Sequence, residues 1–185
     1  RGIEGKIKAI KYARENKIPY LGLCYGMQLA SVEYARNVVG LKGAHTTEVN
    51  PHTKYPIIHK IPFDKKYQTI KGSGASMRLG AYDCVLKKGT LAEWIYQKHH
   101  AFKDKKRKLI SERHRHRFEF NNAYRKILEK KGFVISGTSP DDFFVEIIEL
   151  PKNIHPFFLA TQAHPEYKSS PLKPHPIFLE YLKAV

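Results

Sequence analysis

The 185-residue sequence has few cysteines, no long apolar run and about half as many acidic as basic residues. Two cysteines, Cys24 and Cys84, cannot form a disulfide framework, so we expect a reducing, cytoplasmic compartment. Apolar runs such as Phe157–Ala160 are far shorter than the ~20 residues that span a bilayer, and we expect no membrane segment. With 33 Lys+Arg against 17 Asp+Glu, the net charge is +16, which makes nucleic acid the first partner to consider.

The length and composition suit one globular domain with its own core. The chain is 42% hydrophobic, which excludes a disordered or low-complexity protein. It begins at Arg1, with neither a methionine nor a signal-like segment before the first helix. We therefore expect residues 1–185 to form one domain, truncated at its N-terminus.

The excess positive charge is spread along the chain. The densest run, Lys103–Lys108, predicts a disordered or exposed loop, and it also resembles a nuclear-localisation patch. In Arg113–Arg117, arginine and histidine alternate, so a strand would place its three arginines on one face and two histidines on the other. A nucleic-acid module would concentrate its charge on one element and interleave aromatic residues, so nucleic acid is not the favoured partner.

The pattern of apolar residues predicts an α/β domain. A helix, a short buried strand and a second helix come first, and strands dominate the rest, which favours a central, mostly parallel or mixed sheet. The predicted helices cover residues 3–17, 27–38, 121–131 and 174–184. The predicted strands cover 18–23, 77–86, 113–120, 133–138, 145–150 and 157–162, and residues 42–75 are predicted loops with a short extended piece.

Cys24 lies between two glycines, Gly22 and Gly26, where a strand meets a helix. This is the spacing of a nucleophile elbow. The start of a helix behind the sulfur would favour the thiolate and lower the pKa, and the Tyr25 N–H could stabilise an oxyanion. A buried structural cysteine is the alternative. Cys84 has no flanking glycines, and we assign it no chemistry.

A second candidate group follows the predicted strand 157–162. His164 and Glu166 are two residues apart, so in extended backbone they share a face and could form a base and the carboxylate that orients it. The cysteines and histidines show no zinc-ligand spacing, and no glycine-rich phosphate loop is present. We therefore expect neither a metal nor a cofactor in this domain.

These motifs resemble a known family. Residues 22–28 (GLCYGMQ) with 161–166 (TQAHPE) resemble the class I glutamine amidotransferases. Residues 1–6 (RGIEGK), 77–80 (MRLG) and 112–122 (ERHRHRFEFNN) narrow the resemblance to the glutaminase domains of the CTP synthase family. The resemblance covers the whole chain and implies a three-layer, flavodoxin-like fold with a central sheet flanked by helices.

The resemblance also implies roles for individual residues. It makes Cys24 the nucleophile, His164 the general base and then acid, and Glu166 the group that orients the imidazole. Free glutamine carries an ammonium and a carboxylate, which suits one acidic and one guanidinium side chain. The residues implied to hold glutamine are Tyr25, Gly26 and Met27 through their backbone, Gln28 and Glu48 through their side chains, and Arg117; Arg113 and Arg115 are then structural or face a partner.

In the family, ammonia passes to a separate synthetase domain that converts UTP to CTP with ATP and Mg²⁺. GTP activates the family's enzymes, and the full-length proteins assemble into homo-tetramers. The resemblance therefore implies L-glutamine and a synthetase domain as partners.

The sequence departs from the family pattern in several places. The glycine-rich loop that supplies a second oxyanion donor would lie upstream of Arg1. Tyr25 replaces an aliphatic residue and Ala163 a common phenylalanine. A degenerate domain that serves only in interaction or regulation, and a nucleic-acid binder, are the alternatives.

Overall fold

The computed structural model of the chain describes residues 2–60 and 77–185. Its helices and strands alternate at first, and strands dominate the middle of the chain. In chain order they are α1 (Ile3–Glu15), β1 (Tyr20–Leu23), α2 (Tyr25–Tyr34), β2 (His45–Thr46), β3 (Pro56–Lys60), β4 (Arg78–Leu86), α3 (Leu91–Lys98), β5 (Leu109–His116), β6 (Phe118–Phe120), α4 (Arg125–Glu129), β7 (Val134–Thr138), β8 (Val145–Glu149), β9 (Phe158–Thr161) and α5 (Pro176–Ala184).

Six strands form the main sheet in the order β1-β9-β8-β7-β4-β5. The sheet is mixed, as the sequence predicted: β1 and β9 are parallel, and the other described pairs are antiparallel. Gly22 pairs with Ala160 and Leu23 with Thr161, so β1 and β9 end at the same edge. The residues that follow these two strands are therefore brought side by side.

Apolar side chains cover both faces of this sheet. On β9, Phe158 and Ala160 belong to the core cluster that includes residues of α1 and α2, while Leu159 belongs to the cluster that includes residues of α3 and α5. This alternation follows from the period of two in a strand. It confirms the expected three-layer architecture, with helices packed on both sides of the sheet.

The secondary structure differs from the sequence prediction in several places. The region 42–75, predicted as loops with a short extended piece, contains two short strands, β2 and β3, and these form an unpredicted second sheet in the order β2-β3-β6. Residues 61–76 lie outside the described part of the chain. Helix α3 was not predicted, although Thr90 caps it by accepting a hydrogen bond from the Glu93 N–H at 3.2 Å. A threonine followed three residues later by a glutamate is a helix-start pattern, so the sequence does carry a signal for α3.

The basic run Lys103–Lys108 is ordered by contacts with acidic side chains. Lys103 Nζ lies 2.8 Å from Asp83 Oδ2, and Lys108 forms an ion pair with Glu93. A β-bridge between Asp104 and Leu109 closes the turn. Part of the local positive charge is therefore neutralised within the domain.

Candidate active site

Cys24 lies at the sharp turn between β1 and α2. Its φ of 48° and ψ of −97° are unusual for a residue with a side chain, as expected for a nucleophile elbow. A Cβ at Gly22 would lie 2.8 Å from Ala160 Cβ and 2.9 Å from the Gly26 carbonyl carbon, so glycine is required there. The Tyr20 hydroxyl donates to the Gly26 carbonyl at 2.9 Å and ties the two ends of the turn together. The predicted local geometry is confirmed.

The Cys24 sulfur accepts hydrogen bonds from two neighbouring groups. The Gln162 Nε2 donates to Sγ at 3.5 Å, and the Tyr25 N–H also interacts with the sulfur. These two donors favour the thiolate, but burial and the charge of Glu119 oppose it and raise the pKa of Cys24 to about 11. The prediction of a lowered thiol pKa is therefore wrong, because burial outweighs the effect of the helix start.

His164 and Glu166 are in contact at the end of β9. The His164 Nδ1 lies 2.6 Å from Glu166 Oε1, and the His164 N–H donates to the Arg113 carbonyl at 2.8 Å. The contact was predicted from extended backbone, but the structure forms it through a 3₁₀ turn over Pro165–Lys168. The Tyr167 ring stacks on the imidazole with centroids 5.1 Å apart. The histidine is thus held from its backbone, its ring face and one ring nitrogen.

A cavity of about 660 Å³ opens next to Cys24. Five of the nine residues predicted from the family line this cavity, whereas His164, Glu166, Gly26 and Met27 are not among its lining residues, and the Met27 side chain is fully buried in the core. The residues of the lining are Cys24, Tyr25, Gln28, Glu48 and Arg117, together with Ile3, Val49, Met77, Arg115, His116 and Phe118, which the sequence analysis did not place in the site.

Gln28 lies in the wall of the cavity and is almost completely buried. Its Nε2 donates to the Phe118 carbonyl at 3.0 Å and to Gln162 Oε1 at 3.2 Å. Its Oε1 has no hydrogen-bond partner within the described residues. An unpartnered buried amide oxygen is costly, and it is available to a donor on a bound molecule.

The two charged side chains of the predicted glutamine site lie on different segments. Glu48 follows β2, and Arg117 lies at the break between β5 and β6. Both are exposed to solvent within the cavity wall. Arg115, predicted to be structural or to face a partner, lines the same cavity. The cavity therefore presents one carboxylate and two guanidinium groups.

The alternation in Arg113–Arg117 is confirmed. The three arginines are exposed, while His114 and His116 are buried. Behind them, the buried Arg78 guanidinium lies 3.0 Å from Glu119 and 2.6 Å from Glu146. The sequence showed Arg78 only as part of a family motif, because its partners come from distant strands.

Comparison with known proteins identifies the class. The sequence profile of the glutamine amidotransferase class-I family matches residues 1–184, and the chain belongs to this family. The chain is 57% identical over 185 residues to a CTP synthase of Caldanaerobacter subterraneus subsp. tengcongensis, and 59% identical over 182 residues to that of Sulfolobus acidocaldarius. These matches cover 100% and 98% of the chain, and 32% of each relative.

A solved structure agrees with this similarity. The Trypanosoma brucei CTPS glutaminase domain with bound acivicin superimposes with a TM-score of 0.85 at 38% identity, covering 100% of this chain and 66% of that one. The fold is thus that of a CTP synthase glutaminase domain, while the chain spans about a third of the length of the curated relatives.

The described residues offer neither a membrane-spanning helix nor a clustered metal-ligand set. Over residues 2–60 and 77–185, no helix has the length and apolar character needed to cross a bilayer. The same part of the chain holds no cluster of three or more His, Cys, Asp or Glu side chains suited to a metal ion.

Proposed function

We propose that residues 1–185 form a glutaminase domain and that L-glutamine is hydrolysed in the cavity next to Cys24. The observation that carries this proposal is the elbow thiol in a cavity that also presents the Glu48 carboxylate and the Arg117 guanidinium. The carboxylate binds the substrate ammonium and the guanidinium binds the substrate carboxylate. Glutamine held by these two groups directs its side-chain carboxamide toward Cys24.

In the first half of the reaction, the Cys24 sulfur attacks the carboxamide carbon of glutamine. Because the thiol pKa is about 11, the cysteine rests protonated and loses its proton as the carbon–sulfur bond forms. His164 accepts this proton and delivers it to the departing nitrogen, which leaves as ammonia. Glu166, 2.6 Å from His164 Nδ1, fixes the tautomer and stabilises the imidazolium.

In the second half, water attacks the γ-glutamyl thioester with His164 as the base, and glutamate and the free thiol are released. Both halves pass through an oxyanion. The Tyr25 N–H at the start of α2 donates to that oxygen, and one such donor contributes roughly 2.7–4 kcal/mol. The backbone from Tyr25 to Met27 and the Gln28 side chain complete the contacts with glutamine.

For the complete protein, we infer that the ammonia is used to aminate UTP to CTP. The support is the similarity to CTP synthases over the full length of the chain. The synthetase domain would bind UTP, ATP and Mg²⁺, and GTP would activate the reaction. We further propose that the complete protein is cytoplasmic and forms a homo-tetramer. Analytical ultracentrifugation tests the oligomeric state directly.

Labelling with acivicin tests the glutaminase proposal. We expect one label per chain, located on Cys24 by peptide mapping, and release of glutamate from glutamine by the unlabelled protein. Cys24→Ala abolishes both, whereas the matched control Cys84→Ala, at a buried thiol without assigned chemistry, retains both. His164→Ala slows glutamate release by about 10²-fold or more. An unlabelled Cys24 without glutamate release in the full-length protein would instead indicate an interaction module.

A further inference from the structure

The proposed reaction leaves two buried histidines unused. His114 Nδ1 lies 3.0 Å from His116 Nε2, and His116 Nδ1 lies 3.1 Å from the Phe118 carbonyl oxygen. Both imidazoles are almost fully buried, yet His116 forms part of the wall of the Cys24 cavity. The pair therefore connects the interior of the sheet to the candidate active site.

The contacts decide where the protons are. A carbonyl oxygen can only accept, so His116 carries its proton on Nδ1. Its Nε2 is then an acceptor, and His114 donates to it from Nδ1. Burial and the nearby Arg78 charge lower the pKa of His116 to about 3 and the pKa of His114 well below its usual value, which agrees with two neutral rings. The donors thus point in one direction, toward Phe118.

The Phe118 carbonyl oxygen accepts hydrogen bonds from two side chains. It accepts from His116 on one side and from the Gln28 Nε2, at 3.0 Å, on the other. Both of its lone pairs are therefore used, and the backbone after β5 is tied to helix α2. The Gln28 amide is oriented by the same carbonyl.

Arg117 lies between the two residues that are joined by the hydrogen bond from His116 Nδ1 to the Phe118 carbonyl. Strand β5 ends at His116 and β6 begins at Phe118, so the side-chain bond spans the break at which Arg117 sits. Within the described residues, the Arg117 guanidinium has no hydrogen-bonding or ionic partner. Its direction therefore depends on the backbone that His116 holds.

We propose that His116 is a positioning residue for glutamine recognition: it fixes the backbone at Arg117 and Phe118, so that the Arg117 guanidinium and the Gln28 amide face the substrate. This inference rests on the proposed function and adds a residue to those that the family resemblance supplied. His116 does not touch the reacting atoms, so its loss weakens substrate binding more than it slows the chemical step.

Two substitutions separate this role from general packing. In His116→Asn, the amide nitrogen replaces Nδ1 and keeps the bond to Phe118, whereas in His116→Gln it falls nearer the place of Nε2. We expect His116→Gln to raise KM for glutamine about tenfold with kcat within about twofold, as the loss of one hydrogen bond predicts. His116→Asn keeps KM within about threefold of wild type. Equal KM values in the two variants, or a fall in kcat alone, would overturn the proposal.

A double-mutant cycle tests whether His116 acts through Arg117. In the Arg117→Ala background, we expect His116→Gln to change KM by less than about threefold, because the group that it positions is absent. The full tenfold factor in that background would contradict the proposal. The alkylation rate of Cys24 by iodoacetamide, which needs no glutamine contact, confirms that each variant is folded at the elbow.

A spectroscopic measurement tests the tautomer of His116 independently of enzyme activity. Long-range ¹H–¹⁵N spectra of the imidazole at pH 7.5 are expected to show His116 neutral, with its proton on Nδ1; a proton on Nε2 or a charged ring would overturn the proposal. A wild-type protein that neither binds nor hydrolyses glutamine, yet shows the Nδ1–H tautomer, counts against the proposed function instead. A failure of the His116 proposal is thus distinguished from a failure of the proposed glutaminase function.

Discussion

The Gln162 amide donates to the sulfur of Cys24, with Nε2 3.5 Å from Sγ. Gln162 is fully buried, and its Oε1 accepts from Gln28 Nε2, so the amide cannot turn over without losing a second bond. This contact stabilises the thiolate in a pocket where burial favours the thiol. Gln162 therefore affects the reactivity of the cysteine without being a candidate for proton transfer.

Gln162→Met removes this donor and raises the pKa of Cys24 further. Hydrogen bonds to charged groups contribute about 1.5–3 kcal/mol, which corresponds to roughly one to two pKa units. At pH 8 the thiolate fraction falls by the same factor, so alkylation by iodoacetamide slows about 10- to 100-fold. Gln97→Met, at an exposed position in α3, serves as the control and leaves the rate unchanged. An unchanged rate in Gln162→Met would show that the contact does not affect the thiolate.

Glu119→Gln shifts the same thiol in the opposite direction. The charge of Glu119 raises the pKa of Cys24, and the amide removes that charge while keeping its shape. We expect the pH of half-maximal alkylation to move down relative to wild type. An upward shift in the pH–rate profile would contradict this assignment.

Gly22→Ala is expected to destabilise the domain by about 1–3 kcal/mol, since its Cβ would approach two backbone or short side-chain atoms to less than 3.0 Å. Gly5→Ala is the matched control, because Gly5 lies in α1 with open space around its missing Cβ. That change stabilises the domain by about 0.5–1 kcal/mol through the helix preference of alanine. Urea unfolding followed by circular dichroism measures both, and equal losses would show that the close approach at Gly22 is unimportant.

The elbow and the His164–Glu166 contact could be predicted because both depend on residues close together in the chain. The spacing of Gly22, Cys24 and Gly26 indicated the turn, although one of the close contacts that require Gly22 comes from Ala160 on β9. The raised thiol pKa could not be predicted, because it depends on burial and on Glu119, which the fold brings from β6. Gln162 carried no signal of its own, since its role arises from the register of two parallel strands.

For the inward-facing histidines, too, the sequence predicted one feature and missed another. Their alternation with arginine predicted correctly which side chains face the interior. The bond from His116 to the Phe118 carbonyl depends on the break in the strand at Arg117, where one continuous strand was predicted. Local periodicity therefore identified the face of the strand but not the interruption that directs Arg117.

The stability of the domain is expected to fall as the pH rises from about 4.5 to about 8, and Glu119 is the group responsible. Burial is the largest cause that raises its folded-state pKa from 4.5 to about 8, despite the nearby Arg78. A group whose pKa is raised on folding contributes stability below its unfolded pKa and loses it as the pH passes through the folded value. Glu119→Gln removes the titration, so its unfolding free energy from urea titrations varies less over this range. An equally steep decline in the variant would assign the pH dependence to another group, with Glu146, also buried beside Arg78, the next to substitute.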